Sequence, residues 1–329
     1  MGQYLVTGVA GFIGMHVAHS LLGQGHRVIG LDSINDYYDR SLKQARLATL
    51  ADQSGYRFIE AEVTAFCQGL KTPTDELGEI DGIVHLAAQP GVRYSLENPH
   101  AYVDANIHAQ VAILELARQL PQRPHVVYAS SSSVYGRNTK MPWSETDRTD
   151  HPASLYAATK KSAELTAETY AHLYDLDLTG LRFFTVYGPW GRPDMAPYIF
   201  TKAMFEERTI RLFNYGKQRR DFTYIDDIVA GVVAAIDRPR EIDGERAAHR
   251  VYNLGNNQAE TLEDFVAAIE AATGHTAKLE RVAAQPGDVV ETYADITRSK
   301  AELGFEPKTR MADGLQQFVD WYRDYHNVT

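Results

Sequence analysis

Between Ser130 and Lys160 the sequence gathers side chains suited to moving a proton. Four serines, Ser130 to Ser133, precede Val134-Tyr135-Gly136, and Tyr156-Ala157-Ala158-Thr159-Lys160 closes the stretch. A tyrosine and a lysine four apart on a helix share a face, about one turn from each other, so an ammonium can hold its charge near a phenol oxygen. Such a cation lowers the phenol from its ordinary pKa of about 10, towards a usable base near neutral pH. Taken alone, a Tyr-x-x-x-Lys pair is more often plain helix surface. Its meaning depends on the elements that place it.

Those elements begin with Tyr4-Leu5-Val6-Thr7, an apolar run that predicts a buried strand, followed by Gly8, Gly11 and Gly14 and a helical pattern from Met15 to Gln24. Strand, glycine turn and helix stand in the order of a dinucleotide fingerprint. The glycines permit a tight turn and close approach of backbone to pyrophosphate, and the helix N–H groups stabilise its charge. Arg27 to Leu31 predicts a second strand ending at Asp32, about 20 residues downstream, where a carboxylate accepts hydrogen bonds from an adenosine ribose. That carboxylate would repel a 2′-phosphate, which favours NAD over NADP.

Further strands are expected at Tyr56–Val63, whose end can frame an adenine, at Gly82–Ala88, whose small residues let a cofactor lie against backbone, and at His125–Ala129 and Leu178–Phe183. Helices are expected at Ser41–Thr49, Pro99–Arg118 and Leu155–Tyr174. This alternation implies a parallel, doubly wound sheet with its ligand site at the carboxyl ends of the strands. Proline and glycine break up the chain beyond Phe184, which places a lobe boundary near Val186: residues 1–185 form the cofactor lobe, with a return contribution near 225–253, and 186–329 mainly the substrate lobe. The remainder mixes strands at Ile210–Phe213 and Arg250–Asn253 with helices at Ile199–Glu206, Ile225–Asp237, Leu262–Thr273 and Met311–His326. Lys217, Arg219 and Arg220 form a basic cluster there, a solvated turn or a phosphate site.

Composition excludes several other functions. The 329 residues, 44% of them hydrophobic, suffice for a large core. A formal charge of −10 argues against nucleic acid and anionic membrane surfaces as partners. No stretch reaches the roughly 18 uncharged apolar residues a membrane span needs, and no basic leader opens the chain, so a soluble, cytoplasmic protein is expected. The single cysteine, Cys67, rules out an internal disulfide and a cysteine zinc cluster, and it is expected in or near a core. His16 and His19 lack a third ligand, so no metal is expected, and His85 is expected as a packed side chain rather than a catalytic group.

Taken together, Gly8, Gly11, Gly14, Asp32, Ser131 to Tyr135, Tyr156 with Lys160, and Arg220-Asp221-Phe222 resemble the extended short-chain dehydrogenase/reductase family that acts on nucleotide sugars. Within it the chain most resembles the UDP-glucuronate 4-epimerases, through Asn35 to Asp39, Gly91 to Ser95 and Arg182 to Asp194. The resemblance covers essentially the whole chain and implies a Rossmann-type α/β fold with a smaller mixed α/β C-terminal lobe. It implies Tyr156 as the base, Lys160 on the nicotinamide ribose and lowering the tyrosine's pKa, and Ser131 on the reacting hydroxyl. Ser132, Ser133, Thr185, Arg192, Arg220 and Asp288 would bind substrate: Arg192 its carboxylate, Arg220 and Asp288 its diphosphate and uridine ribose. Tightly held NAD would contact Gly8, Gly11, Phe12, Ile13, Gly14, Asp32, Glu62, Val63, Leu86, Ala87 and Ala88, along with Tyr156 and Lys160. Glu62 departs from the usual aspartate at the adenine edge, and Gln285 stands where UDP-galactose epimerases tend to have arginine.

The reaction so implied oxidises C4 of UDP-glucuronate to a ketone and reduces it from the other face, giving UDP-galacturonate with no net redox change. Related decarboxylases and 4,6-dehydratases carry acidic residues beside the active-site Ser or Thr, where this chain has Ser132 and Ser133, so epimerisation is favoured. The alternatives are a C4-epimerase of a neutral UDP-hexose, a UDP-glucuronate decarboxylase, and a catalytically silent NAD-binding regulator. The resemblance also implies a homodimer through a four-helix bundle of the helices near Pro99–Arg118 and Leu155–Tyr174.

Overall fold

The computed structural model describes residues 1–238, 240–242, 245–246, 249–283 and 291–328. Its centre is a seven-stranded sheet: β1 (Gln3–Thr7), β2 (Arg27–Asp32), β3 (Tyr56–Glu60), β4 (Gly82–His85), β5 (His125–Ser131), β6 (Leu178–Phe183) and β7 (His249–Leu254). All pairs are parallel, in the order β7-β6-β5-β4-β1-β2-β3. The order reverses between β1 and β4. Connections from these two strands leave in opposite directions, so their carboxyl ends open a crevice, the usual ligand position in such sheets.

Side chains alternate between the faces with period two, as pleated strands require. On β1, Tyr4 and Val6 pack with the Phe12–Gly23 and Ile225–Ile236 helices, while Leu5 packs on the other face with the Ala109–Gln119 and Leu155–Tyr174 helices. Burial of both faces explains why these strands are near-continuous apolar runs. The chain returns to the sheet with β7, beside β6, from within the stretch 225–253. From Thr185 on, the short strands pair locally: Thr185–Tyr187 with Phe222–Tyr224, Thr209–Leu212 with Lys278–Arg281, and Arg219–Arg220 with Glu260–Thr261.

Several boundaries differ from the sequence expectation. The first helix starts at Phe12 rather than Met15, because Gly11 serves as its N-cap and the glycine stretch is already helical. β3 stops at Glu60, and Glu62 caps a short helix, Val63–Gly69, by accepting from the Ala65 N–H at 2.9 Å. The expected Pro99–Arg118 helix contains a π-helical segment at Val103–His108. Asn106 lies in it, bonding the backbone of Gln89 in both directions (2.8 and 3.1 Å) and donating to Thr159 Oγ1 at 3.0 Å. Widened turns of this kind gather at functional sites, and this one ties the loop after β4 to the helix carrying Tyr156.

That helix, Leu155–Tyr174, is fixed by a buried ion pair. Glu164 on the helix and Arg182 on β6 are each 4% exposed and bonded twice, Nε to Oε1 at 2.8 Å and Nη2 to Oε2 at 2.9 Å. The Ser130 hydroxyl donates to Glu164 at 2.7 Å, Arg182 Nη1 donates to the Tyr135 hydroxyl at 3.0 Å, and that hydroxyl donates to Asn253 on β7 at 2.6 Å. Burial pushes the Glu164 carboxyl up, but the hydrogen bonds and charge of Arg182 outweigh it and hold it below its ordinary value. The folded state therefore favours the carboxylate. Its contribution is complete above pH 4.5, the ordinary value, and is lost as pH falls below it. Glu164→Gln leaves the guanidinium buried without its counter-charge and is expected to cost about 3–5 kcal/mol, read as a lower urea midpoint at pH 7, with the gap from wild type closing as pH falls below that value.

Candidate active site

The crevice at the β1/β4 reversal widens into a cavity of about 1400 Å³. At one end lies the glycine turn. Gly8 has φ +73°, and a Cβ there would sit 2.6 Å from the Ala87 backbone nitrogen; a Cβ on Gly14 would meet the Gly8 carbonyl oxygen at 2.1 Å. Only glycine lets the turn lie this close to the strand ends. Gly11 offers the first helix no side-chain cap, and Phe12, Ile13 and Gly14 line the cavity. Their N–H groups belong to the first turn, which has no intrahelical acceptors, and so suit an anion.

Asp32, at the end of β2, accepts from the Ala10 N–H at 3.0 Å and the Ile34 N–H at 2.8 Å. Burial pushes its carboxyl up despite these bonds. Glu62 and Val63 line the same end, as do Leu86, Ala87 and Ala88 after β4. This glycine cradle with a carboxylate at the next strand's end fits a dinucleotide.

At the cavity's middle, Ser131 ends β5 and its Oγ accepts from the Ser133 N–H at 3.1 Å, which begins a 3-10 turn, Ser132–Tyr135. The Leu155–Tyr174 helix, capped by the Ser154 side chain on the Ala157 N–H at 3.1 Å, brings Tyr156 opposite. Burial raises the Tyr156 phenol, against a hydrogen bond with Ser131 and the Arg192 charge, which lower it. Lys160, one turn further along the same helix face, donates its ammonium to the Ala129 carbonyl of β5 at 2.9 Å, and burial brings its pKa down to about 8. Arg192, from beyond β6, is a cation whose charge lowers this phenol. Spacing along the chain does not single out Tyr102, whose hydroxyl donates to the Gly91 carbonyl at 2.5 Å and whose ring stands edge-on to Tyr156 at 6.0 Å.

Ser132, Ser133, Thr185, Arg192 and Arg220 all line the cavity, so five of the six expected substrate residues share it. The sixth, Asp288, lies outside the described residues, as does Gln285. The basic cluster divides: Lys217 is exposed and Arg219 pairs with Glu291 at 3.2 Å, while Arg220 lines the cavity. Ile199, Arg211 and Phe213 line this far end as well, and nothing in their spacing singled them out. His85 sits buried with Nδ1 2.7 Å from the Thr7 hydroxyl, and burial takes it down to about 3, so it is a packed neutral ring. His16 bonds the Phe12 carbonyl and His19 the Thr49 hydroxyl. Among the described residues no group of three His, Cys, Asp or Glu side chains could hold a metal, and no helix is long and apolar enough to cross a membrane. Burial pushes the Cys67 thiol up to about 12.

Comparison with known proteins agrees with this geometry. A UDP-glucuronate 4-epimerase of Arabidopsis thaliana is 48% identical over 98% of this chain and 76% of its own length. A probable UDP-glucuronate 4-epimerase of Rhizobium meliloti is 44% identical, covering 97% of this chain and 96% of its own. The crystal structure of a UDP-glucuronic acid 4-epimerase from Bacillus cereus, in complex with UDP-glucuronic acid and NAD, superposes with a TM-score of 0.88 at 33% identity, covering 98% of this chain and 99% of that one. The model of the NAD dependent epimerase/dehydratase family matches residues 4–255. With the glycine cradle, the serine and the tyrosine all inside that span, the chain belongs to the NAD dependent epimerase/dehydratase family.

Proposed function

We propose that this protein is an NAD-dependent UDP-glucuronate 4-epimerase, interconverting UDP-glucuronate and UDP-galacturonate. The observation that carries this reading is the convergence of Ser131 and the Arg192 charge on one buried phenol, Tyr156, in a cavity continuous with the glycine cradle. Bound NAD supplies the oxidation of the sugar at C4 and its reversal. Gly8, Gly11 and Gly14 with the first helix turn would hold its pyrophosphate, and Asp32 its adenosine ribose.

Tyr156 takes the proton of the C4 hydroxyl as that carbon is oxidised and returns it after the ketone has turned in the pocket. Ser131 orients the hydroxyl. Because burial raises the phenol, the tyrosine needs nearby positive charge to act as a base, and Arg192 provides part of it within this chain. Lys160, held on the Ala129 carbonyl, would bind the nicotinamide ribose.

With a uronate the C4 ketone is a β-keto acid, able to lose carbon dioxide. A guanidinium fixes a carboxylate through paired hydrogen bonds, so Arg192 can hold the breaking bond out of alignment. Ser132 and Ser133 supply no acid for the proton transfers of decarboxylation or dehydration. Residues 1–185, with the return near 225–253, form the NAD lobe in this reading, and 186–329 mainly the UDP-sugar lobe, where Thr185, Arg220 and Asp288 complete the substrate contacts. The protein acts in the cytoplasm as a homodimer, a reading supported by Leu165 and Leu173, exposed on the Leu155–Tyr174 helix.

UDP-glucuronate given to the purified protein without added NAD is expected to yield UDP-galacturonate by NMR; a UDP-pentose as the main product, or no conversion even with NAD added, would reject the assignment. Tyr156→Phe should reduce kcat by about 10²–10⁴-fold, the usual scale of acid–base help, with the Kd for UDP-glucuronate changed only a few-fold. Arg192→Ala should lower kcat/KM for UDP-glucuronate by about tenfold or more, the worth of hydrogen bonds to a charged group, and do less to UDP-glucose; equal losses would remove its carboxylate role.

A further inference from the structure

Arg192 does not stand free in the cavity. Its Nε donates to Asp194 Oδ1 at 3.0 Å and its Nη2 to Asp194 Oδ2 at 2.5 Å, a side-on bidentate pair between residues two apart. Oδ2 also accepts from the Tyr37 hydroxyl at 3.0 Å, and the Tyr37 ring packs against Tyr94 at 5.0 Å. The pair faces the cavity, its side chains 19% and 33% exposed.

A guanidinium presents two bidentate edges, one formed by Nε and Nη2 and the other by the two terminal nitrogens. Asp194 occupies the first. Nη1 makes no hydrogen bond to any described residue, so the second edge stays open on the cavity side. The backbone below is fixed separately: Arg46, fully buried, donates to the Trp190 carbonyl at 2.6 and 3.1 Å and to the Ala10 carbonyl at 3.0 Å. Pro193 further stiffens the link between the partners. With the backbone held, what remains free is the direction of the Arg192 side chain, and Asp194 sets it.

We infer that Asp194, anchored by the Tyr37 hydroxyl, is a specificity-determining positioning residue: it holds Arg192 by its inner edge so that the outer edge is presented to the carboxylate of a uronate substrate. The inference rests on the proposed function and deepens it. Pairing also has a consequence for charge. A lone buried guanidinium would attract a uronate from many directions and would be costly to leave beside a neutral sugar. Pairing with Asp194 offsets part of that charge, so recognition depends on the geometry of two hydrogen bonds as well as on attraction. Those same bonds fix the torsion about the carboxyl-bearing bond, so Asp194 also guards the keto acid against loss of carbon dioxide.

Asp194→Asn keeps the shape and removes the charge and one acceptor. By calorimetry its Kd for UDP-glucuronate should rise about tenfold, the worth of a hydrogen bond to a charged group, with Kd for UDP-glucose changed less than about twofold. Product analysis should show a UDP-pentose and carbon dioxide beside UDP-galacturonate, which wild type does not release. Tyr37→Phe should shift both readouts the same way by a smaller factor. A tighter Kd for UDP-glucuronate in Asp194→Asn would overturn the inference, because Asp194 would then compete with substrate for Arg192. Equal weakening for both sugars would also overturn it, as a packing role. Binding by wild type without preference for UDP-glucuronate would instead overturn the proposed substrate, and the inference with it; the calorimetry on wild type tells that failure apart before any variant is made.

Discussion

The active-site geometry depends on the buried pair between Glu164 and Arg182. Tyr156, Lys160 and Glu164 are spaced by four residues and share one face of their helix, which lies along the carboxyl end of β5. Each reaches that strand: Tyr156 to Ser131, Lys160 to the Ala129 carbonyl, and Glu164 to the Ser130 hydroxyl. The first two side chains line the cavity and the third is the anchor. Two charges in so dry a place are held because all three guanidinium nitrogens and both carboxylate oxygens have partners, in a network that runs through Tyr135 and Asn253 to β7. The pair thus locks the helix register against three strands, and a shift of the helix would unmatch all of it at once.

The sheet supplies the other half of the geometry. The reversal between β1 and β4 leaves a gap that no connection covers, and the glycine turn and the loop after β4 border it. Thr7 helps shape this border, since its hydroxyl accepts from the Ala87 N–H at 3.1 Å while meeting the buried His85 ring. A histidine in an apolar strand thereby has a structural duty, shaping the strand end against which a cofactor would lie.

Much of this was legible along the chain. The helices Leu155–Tyr174, Leu262–Thr273 and Met311–His326 and the strand Leu178–Phe183 match their expected limits, since each is bounded by caps or turns and carries a clear period. That the glycines, Asp32, Ser131 and Tyr156 share one cavity was legible, because close backbone approach and proton exchange tolerate few residue types. Less was legible where one residue interrupts a regular pattern. Asn106 falls in a run that reads as plain helix, and only the neighbouring Gln89 and Thr159 explain the wider turn around it. Glu164 and Arg182 look like ordinary charged residues until burial pairs them.

Sequence by itself determined the order of strands and helices, the glycine turn and the proton-bearing side chains that line the cavity, because periodicity, glycine freedom and side-chain chemistry are local properties. Tertiary structure alone decided how charge is distributed among those groups. Lys160 donates a hydrogen bond to the Ala129 carbonyl, and Arg192, distant in sequence, brings its charge to the Tyr156 phenol and is itself held by Asp194. Electrostatic effect follows distance and burial through space, and the spacing of residues along a chain fixes neither.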